Sequence, residues 1–280
     1  MILWKIGLSA LMVLGITWIA ERLSPRFAGV LLGFPLGMGL SLFFIGLEQG
    51  TLFASQSALW SIQGVVAAVV FCLVYSSTAA MSATLSRLLN ITLSILTSLS
   101  AYFATAFMIM QGIPSEMWLR HLLVLLTLAV TAVLFRFSAS GVKKRKIRLT
   151  PLILCYRAFA AAAIILLVTG TAAIVGPRWS GLFSAFPTTI LPTAVILHIH
   201  YGPTVMGPLF RELPQGMLAL ILFACCIHLL YPLTGVYTGI FLSYLASACY
   251  LLLYETFLRQ RLNQILAKIT TVPYSPLIKK

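Results

Sequence analysis

The sequence predicts an all-α polytopic membrane protein. It has about nine transmembrane helices, arranged as two inverted-topology four-helix repeats joined by a connector helix. Three observations carry that prediction. First, 60% of the 280 residues are hydrophobic and 9% are charged, with a mean hydropathy of +1.03, whereas about a quarter of residues are charged in soluble domains. Second, apolar stretches of about 20 residues, enough to cross a core of ~30 Å, recur along the whole chain. Third, one pattern occurs twice, as Pro25-Arg26-Phe27-Ala28-Gly29-Val30-Leu31-Leu32-Gly33-Phe34-Pro35 and as Pro177-Arg178-Trp179-Ser180-Gly181-Leu182-Phe183-Ser184-Ala185-Phe186-Pro187.

Taken in order, the apolar stretches cover about 2–20, 27–47, 52–76, 88–111, 119–137, 152–175, 180–201, 209–231 and 234–254. The first has no small-residue cleavage site after it and reads as a retained helix, not a signal peptide. The second and seventh each open on one copy of the pattern. The fourth carries Thr92, Ser94, Thr97, Ser98, Ser100 and Thr105, hydroxyls that glue membrane helices together or line a conduit. Pro203, Pro208 and Pro214 crowd the start of the eighth, and Arg211-Glu212 interrupts it. Beyond the ninth, Leu258, Leu262, Ile265, Leu266 and Ile269 form an apolar stripe beside Arg259, Arg261 and Lys268, which predicts an amphipathic helix in the cytoplasmic interface. The predicted units are a first four-helix repeat at 1–111, a connector helix and basic cytoplasmic loop at 112–150, a second, inverted four-helix repeat at 151–257, and an amphipathic tail at 258–280.

Nineteen Lys and Arg face five acidic residues, all Glu, for a net charge of +14. They cluster between the apolar stretches, so the partner they imply is anionic lipid at the cytoplasmic face of the bilayer, with no nucleic acid. Lys143, Lys144, Arg145, Lys146 and Arg148 mark the loop after the fifth stretch as cytoplasmic. Alternation then puts Arg22, Arg26, Arg87, Arg211 and the tail inside, leaving Lys5, Arg120 and Arg178 outside. The N-terminus is predicted outside and the C-terminus cytoplasmic. Cys72, Cys155, Cys225, Cys226 and Cys249 all fall in apolar stretches, without a CxxC pair or a His/Cys ligand spacing. They read as small buried hydrophobes, and no metal or cofactor is implied.

Setting residue n against n+152 aligns 5–64 with 157–216 without a gap and gives twelve identities. They are Ala10/Ala162, Leu14/Leu166, Thr17/Thr169, Ala20/Ala172, Pro25/Pro177, Arg26/Arg178, Gly29/Gly181, Phe34/Phe186, Pro35/Pro187, Gly50/Gly202, Gln63/Gln215 and Gly64/Gly216. Apolar matches are cheap in such a composition; the Pro, Arg, Gly and Gln matches are not. Lys5 also meets Arg157, both basic at the start of a stretch. Past Gly64 the similarity fades. An odd number of stretches separates the copies, which turns the second upside down, the plan of many secondary transporters.

Each unit resembles a GlpM-type small inner-membrane protein, which has four short helices, an early basic residue, and an Ala/Ser-Gly-Leu-x-x-x-Phe-Pro signature opening helix two. The matching residues are Lys5, Ala28-Gly29 and Phe34-Pro35, then Arg157, Ser180-Gly181-Leu182 and Phe186-Pro187-Thr188. The first unit departs from the signature at Val30 and Leu36. The resemblance implies a bacterial cell inner membrane location and a link to envelope and exopolysaccharide physiology. The chain is then a tandem, inverted duplication of such units.

The candidate site follows from the repeat. Pro35 and Pro187 each remove a backbone N–H and free a carbonyl inside a span. Such irregular backbone lines a wet cavity or is buried in protein. Arg26 and Arg178 carry planar donor forks for carboxylate or phosphate, or they snorkel to headgroups. Gln63 and Gln215 each precede a glycine and bind a ligand or bridge helices. Arg26, Gly29, Phe34, Pro35, Gln63, Arg178, Gly181, Phe186, Pro187, Thr188 and Gln215 form the predicted substrate-binding set. His198, His200 and His228 could relay protons, but a core or interfacial role suits them better, and His198 and His200 face different sides of one helix. Glu48 aligns with His200 at a span end.

The function this predicts is a transporter or flippase-like protein working by alternating access, not an enzyme. Its substrate is a small anionic or polar solute or a phospho-headgroup. The alternative is a non-catalytic membrane subunit that supports envelope or exopolysaccharide assembly. Either is compatible with a homo-oligomer.

Overall fold

The computed structural model describes residues 2–22, 34–112, 117–137, 151–210, 213–254 and 256. Arg26, Gly29, the basic 143–148 run and the tail at 258–280 lie outside the described residues. The elements are α1 (Ile2–Arg22), α2 (Leu36–Gln49), α3 (Thr51–Met81), α4 (Arg87–Gly112), α5 (Met117–Phe137), α6 (Pro151–Ser184), α7 (Ile190–Tyr201), a 3-10 turn (Pro203–Val205), α8 (Met206–Phe210) and α9 (Leu213–Leu253). No strand occurs among the described residues. Among the described residues, four segments are long and apolar enough to cross a membrane: Thr51–Met81, Arg87–Gly112, Cys155–Ser184 and Gly216–Leu253. This is the make-up of a helical, membrane-embedded protein.

Two of the long helices fold back on themselves. A straight helix of 41 residues such as α9 would run ~60 Å, twice the hydrocarbon thickness of ~30 Å. Instead α9 turns at Gly235 (φ 81°, ψ 177°). Ser247 Oγ donates to the Ala219 carbonyl at 3.4 Å, and Gly239 lies against the Tyr231 ring, so the two halves run antiparallel. The same happens in α6 at Gly176 (φ 77°, ψ 174°), just before Pro177. There Ser180 Oγ reaches back to the Ala172 carbonyl at 3.4 Å.

Gly50 and Gly202, aligned with each other by the repeat, make matching corners after α2 and α7. Their dihedrals are φ 91°, ψ 166° and φ 79°, ψ −175°. Each N–H closes onto the carbonyl four residues back, Gly46 at 3.1 Å and His198 at 3.0 Å. Only glycine occupies this backbone region without strain.

The central element is α3, which packs on α2, α4, α5, α6 and α9. Small residues let it approach α6. A Cβ on Gly64 would fall 2.7 Å from the Ala185 Cβ and 2.8 Å from the Leu182 carbonyl oxygen. Gly181 sits against the Ser57 carbonyl and Trp60, and the Ser61 and Ser184 hydroxyls are 2.6 Å apart. Close backbone approach is the main source of helix association in lipid, where burial of apolar surface supplies little.

Contacts also fix direction. Gly181 meets Ser57, Ser184 meets Ser61 and His198 meets Tyr75, so the chain from Gly181 through α7 runs parallel to α3. Against α4 it runs antiparallel, with Leu182 at Tyr102 and Ile199 at Arg87. The first half of α9 runs antiparallel to α3, with His228 at Ser55 while Met217 and Leu220 share a cavity wall with Ala68. The cysteines depart from the sequence expectation. Cys72 is buried, but Cys155 and Cys249 are exposed on the bundle's outer surface. A small apolar thiol is at home in such a surface when it faces lipid.

Open space surrounds both Gly202 and Gly170, but only Gly202 has a positive φ. Gly202→Ala should therefore destabilise by about 1–3 kcal/mol through strain alone. Gly170→Ala, inside a helix, should be neutral or stabilise by up to ~1 kcal/mol. Thermal unfolding of the detergent-solubilised protein reads both; equal melting temperatures would contradict the corner geometry.

Candidate functional site at the junction of two Phe-Pro motifs

Pro187 interrupts its span between α6 and α7, Pro35 immediately precedes α2, and both Phe-Pro pairs make the same hydrogen bonds. Leu36 N–H donates to the Phe34 carbonyl at 2.8 Å, and Thr188 N–H to the Phe186 carbonyl at 2.7 Å. Gly39 N–H donates to the Pro35 carbonyl at 2.8 Å, and Leu191 N–H to the Pro187 carbonyl at 2.9 Å. Every donor and acceptor at the first motif has its counterpart, in the register of the repeat, at the second. The break at Phe186-Pro187 covers 185–189 between α6 and α7. Hydroxyls take up carbonyls around it: Thr193 Oγ1 donates to the Thr189 carbonyl at 2.7 Å and Ser184 Oγ to the Gly181 carbonyl at 2.8 Å.

The two motifs meet face to face. Gly37 lies directly on Thr188 Oγ1, with no room for a side chain. Beside this contact is a cavity of about 30 Å³, whose walls include Phe34, Gly37, Ser184, Phe186, Pro187 and Thr188. Ala68 and Leu220, themselves equivalent in the repeat register, complete it from α3 and α9. A cavity of this size holds about one water molecule. Its described walls are mostly aliphatic and aromatic, with the hydroxyl residues Ser184, Thr188 and Thr189 among them and no charged side chain.

Each motif phenylalanine is gripped by the opposite half of the chain. Phe34 stacks on Tyr244 (5.2 Å between centroids, 13° between planes), and Tyr244 packs on Phe223 at 4.9 Å. Phe186 meets Tyr102 edge-on at 5.0 Å and Phe71 at 6.2 Å. Phe71 and Phe223 keep the repeat register beyond the point where the sequence similarity fades. Tyr102 and Tyr244 do not keep it, so the repeat offered no route to them. The tyrosines differ in one respect. Tyr102 hydroxyl donates to the Leu182 carbonyl at 2.7 Å, whereas the buried Tyr244 hydroxyl has no partner among the described residues.

Of the predicted set, Phe34, Phe186, Pro187 and Thr188 come together around the cavity, and Pro35 is buried beside it. Gln63 is buried on α3 but is not among the described cavity walls, and Gly181 is used for helix packing. Arg178 stands apart, exposed at the rim with its guanidinium 5.4 Å over the Trp60 ring. Arg26, Gly29 and the Gln215 side chain lie outside the described residues. His198 is fully buried with Nδ1 3.2 Å from the Tyr75 hydroxyl, and His200 is exposed, in line with their two-residue offset.

A second polar cluster lies where α1, α2 and α6 meet. Lys5 is 5% exposed, and its Nζ donates to Glu48 Oε2 and to Thr169 Oγ1, each at 2.7 Å. The ammonium also lies 5.7 Å over the Phe44 ring. In the sequence Glu48 reads only as a span-end carboxylate. The available signal was the identity Thr17/Thr169, which shares its register with Lys5/Arg157. Compared with protein families, curated proteins and solved structures, the chain gives no match.

The tyrosine asymmetry is testable. Tyr102→Phe should cost about 0.5–1.5 kcal/mol by leaving the Leu182 carbonyl short of a donor, whereas Tyr244→Phe should be neutral or slightly stabilising. Chemical unfolding in micelles measures the difference, and an equal loss for both would remove the distinction.

Proposed function

We propose that this chain is a bacterial inner-membrane transporter or flippase-like protein. Its two halves are inverted four-helix repeats, a fused pair of GlpM-type units, that exchange roles between inward-open and outward-open states. The observation that carries this reading is the meeting of the two Phe-Pro motifs at one cavity, each held by the other half. Antiparallel packing of α3 on the first half of α9, its counterpart in the repeat register, supports the inversion. So does the recurrence of the motif hydrogen bonds and of the Gly50 and Gly202 corners in that register. Nine membrane passes follow if α6 with α7 and the two halves of α9 each cross twice.

Alternating access needs two packings of similar energy, and a near-symmetric molecule supplies them by construction. In the described state the junction is nearly closed, as in an intermediate between open forms. Opening would part Gly37 from Thr188 and expose Ser184, Thr188 and the freed carbonyls to a polar substrate. The uncharged walls suit a neutral or hydroxyl-bearing part of the substrate. Its anionic group must be held elsewhere.

Thr188→Cys, placed in a background with the native cysteines replaced, tests this directly. A membrane-impermeant thiol reagent should reach Thr188→Cys in vesicles, and labelling should block flux. Thr188→Val should reduce flux by about tenfold, the scale of one lost hydrogen bond of ~1.4 kcal/mol. A position that never labels from either face, with flux unaffected, would sink the transporter reading and leave the assembly-subunit alternative. Cysteine labelling that places Lys5 and Lys280 on the same side would end the predicted topology.

A further inference from the structure

Among the described residues, a buried ion pair sits where α1, α2 and α6 meet, and none of its residues lines the uncharged cavity. We propose that Lys5 is an anion-exchange site, whose ammonium takes a carboxylate or phosphate group of the substrate in place of the Glu48 carboxylate. This rests on the transporter reading above and supplies the counter-charge that the junction lacks.

Three observations support it. The Lys5 side chain is 6% exposed and that of Glu48 21%, so the carboxylate is the more accessible partner and the one with room to swing away. An ammonium has three donors, and one of them is held by Thr169 of the second half, independently of Glu48. Together with the Phe44 ring beneath it, this keeps the ammonium in place when the carboxylate leaves. Finally, the repeat register sets Arg157 against Lys5 and His200 against Glu48. The second half keeps a basic residue at the first position and has His200 at the second, so a carboxylate at this position is not repeated. Glu48 instead occupies the place of a ligand. A buried ammonium cannot stay unpaired in an apolar bundle, so departure of Glu48 and arrival of a substrate anion are coupled. The predicted topology puts Lys5, Glu48 and Thr169 together at the outer end of their helices.

The test uses the full chain in detergent, titrated with inorganic phosphate at constant ionic strength, with thermal unfolding as the readout. A second arm replaces phosphate by micelles doped with phosphatidylglycerol. Wild type should be stabilised by one of the two probes; phosphate alone assigns a soluble anion, and phosphatidylglycerol alone a lipid headgroup. Glu48→Gln should bind that probe at least about tenfold more tightly, since a site blocked by its own carboxylate is only fractionally competent. The neutral double variant Lys5→Met/Glu48→Gln should lose the response. A Glu48→Gln affinity no higher than wild type, or a response retained in the double variant, overturns the proposal. Should Glu48→Gln fail to fold, wild type against the double variant decides alone, and an equal response overturns it. Binding is read without flux, so a transporter that holds its anion elsewhere is told apart from a protein that does not transport.

Discussion

The grip of each half on the other half's motif phenylalanine is the contact on which the rest of the structure depends. A proline inside a span removes one N–H and leaves a carbonyl unpaired. Hydrocarbon offers no replacement partner, so such a break survives only when protein surrounds it. Here Phe34 stacks on Tyr244, which packs on Phe223, and Phe186 meets Tyr102 and Phe71. The ring contacts therefore join the first and second halves of the chain, and the cavity lies between the two motifs.

Glycine supplies the second constraint, in two separate ways. At Gly64 and Gly181 the missing side chain lets α3 and α6 approach until backbone carbonyls touch Cα surfaces. At Gly50 and Gly202 there is open space, and only the backbone conformation demands glycine. The first kind holds the junction together; the second aims the helices that enter it. Both kinds recur in the sequence in the same register, yet one is a contact and the other a corner.

Charge is the third. A chain with nineteen basic residues keeps almost all of them near the ends of apolar stretches, yet buries Lys5 with Glu48 and Thr169. Removing two charges from water is costly unless the pair is well bonded. The geometry meets that condition with two short hydrogen bonds from one ammonium. It also joins α1 and α2 of the first half to α6 of the second, so the pair spans the same division that the phenylalanines span.

Composition and the recurrent apolar stretches were enough to establish a helical membrane chain, and Pro187 was enough to place the break between α6 and α7, because backbone rules act locally. Proline frees a carbonyl and glycine turns a corner whatever surrounds them. The sequence also marked Thr17/Thr169 and Lys5/Arg157, without saying that Lys5 would reach across to Thr169. It ranked Arg178 and Gln63 with the site, yet the structure leaves Arg178 over Trp60 at the rim and Gln63 outside the cavity's described walls. It missed Tyr102 and Tyr244, which hold equivalent rings from positions that do not align. Only the tertiary structure decided those partners. A ring contact or an ion pair depends on which helix faces join, and in lipid that is settled by small residues and close packing between distant segments, which a linear pattern does not encode.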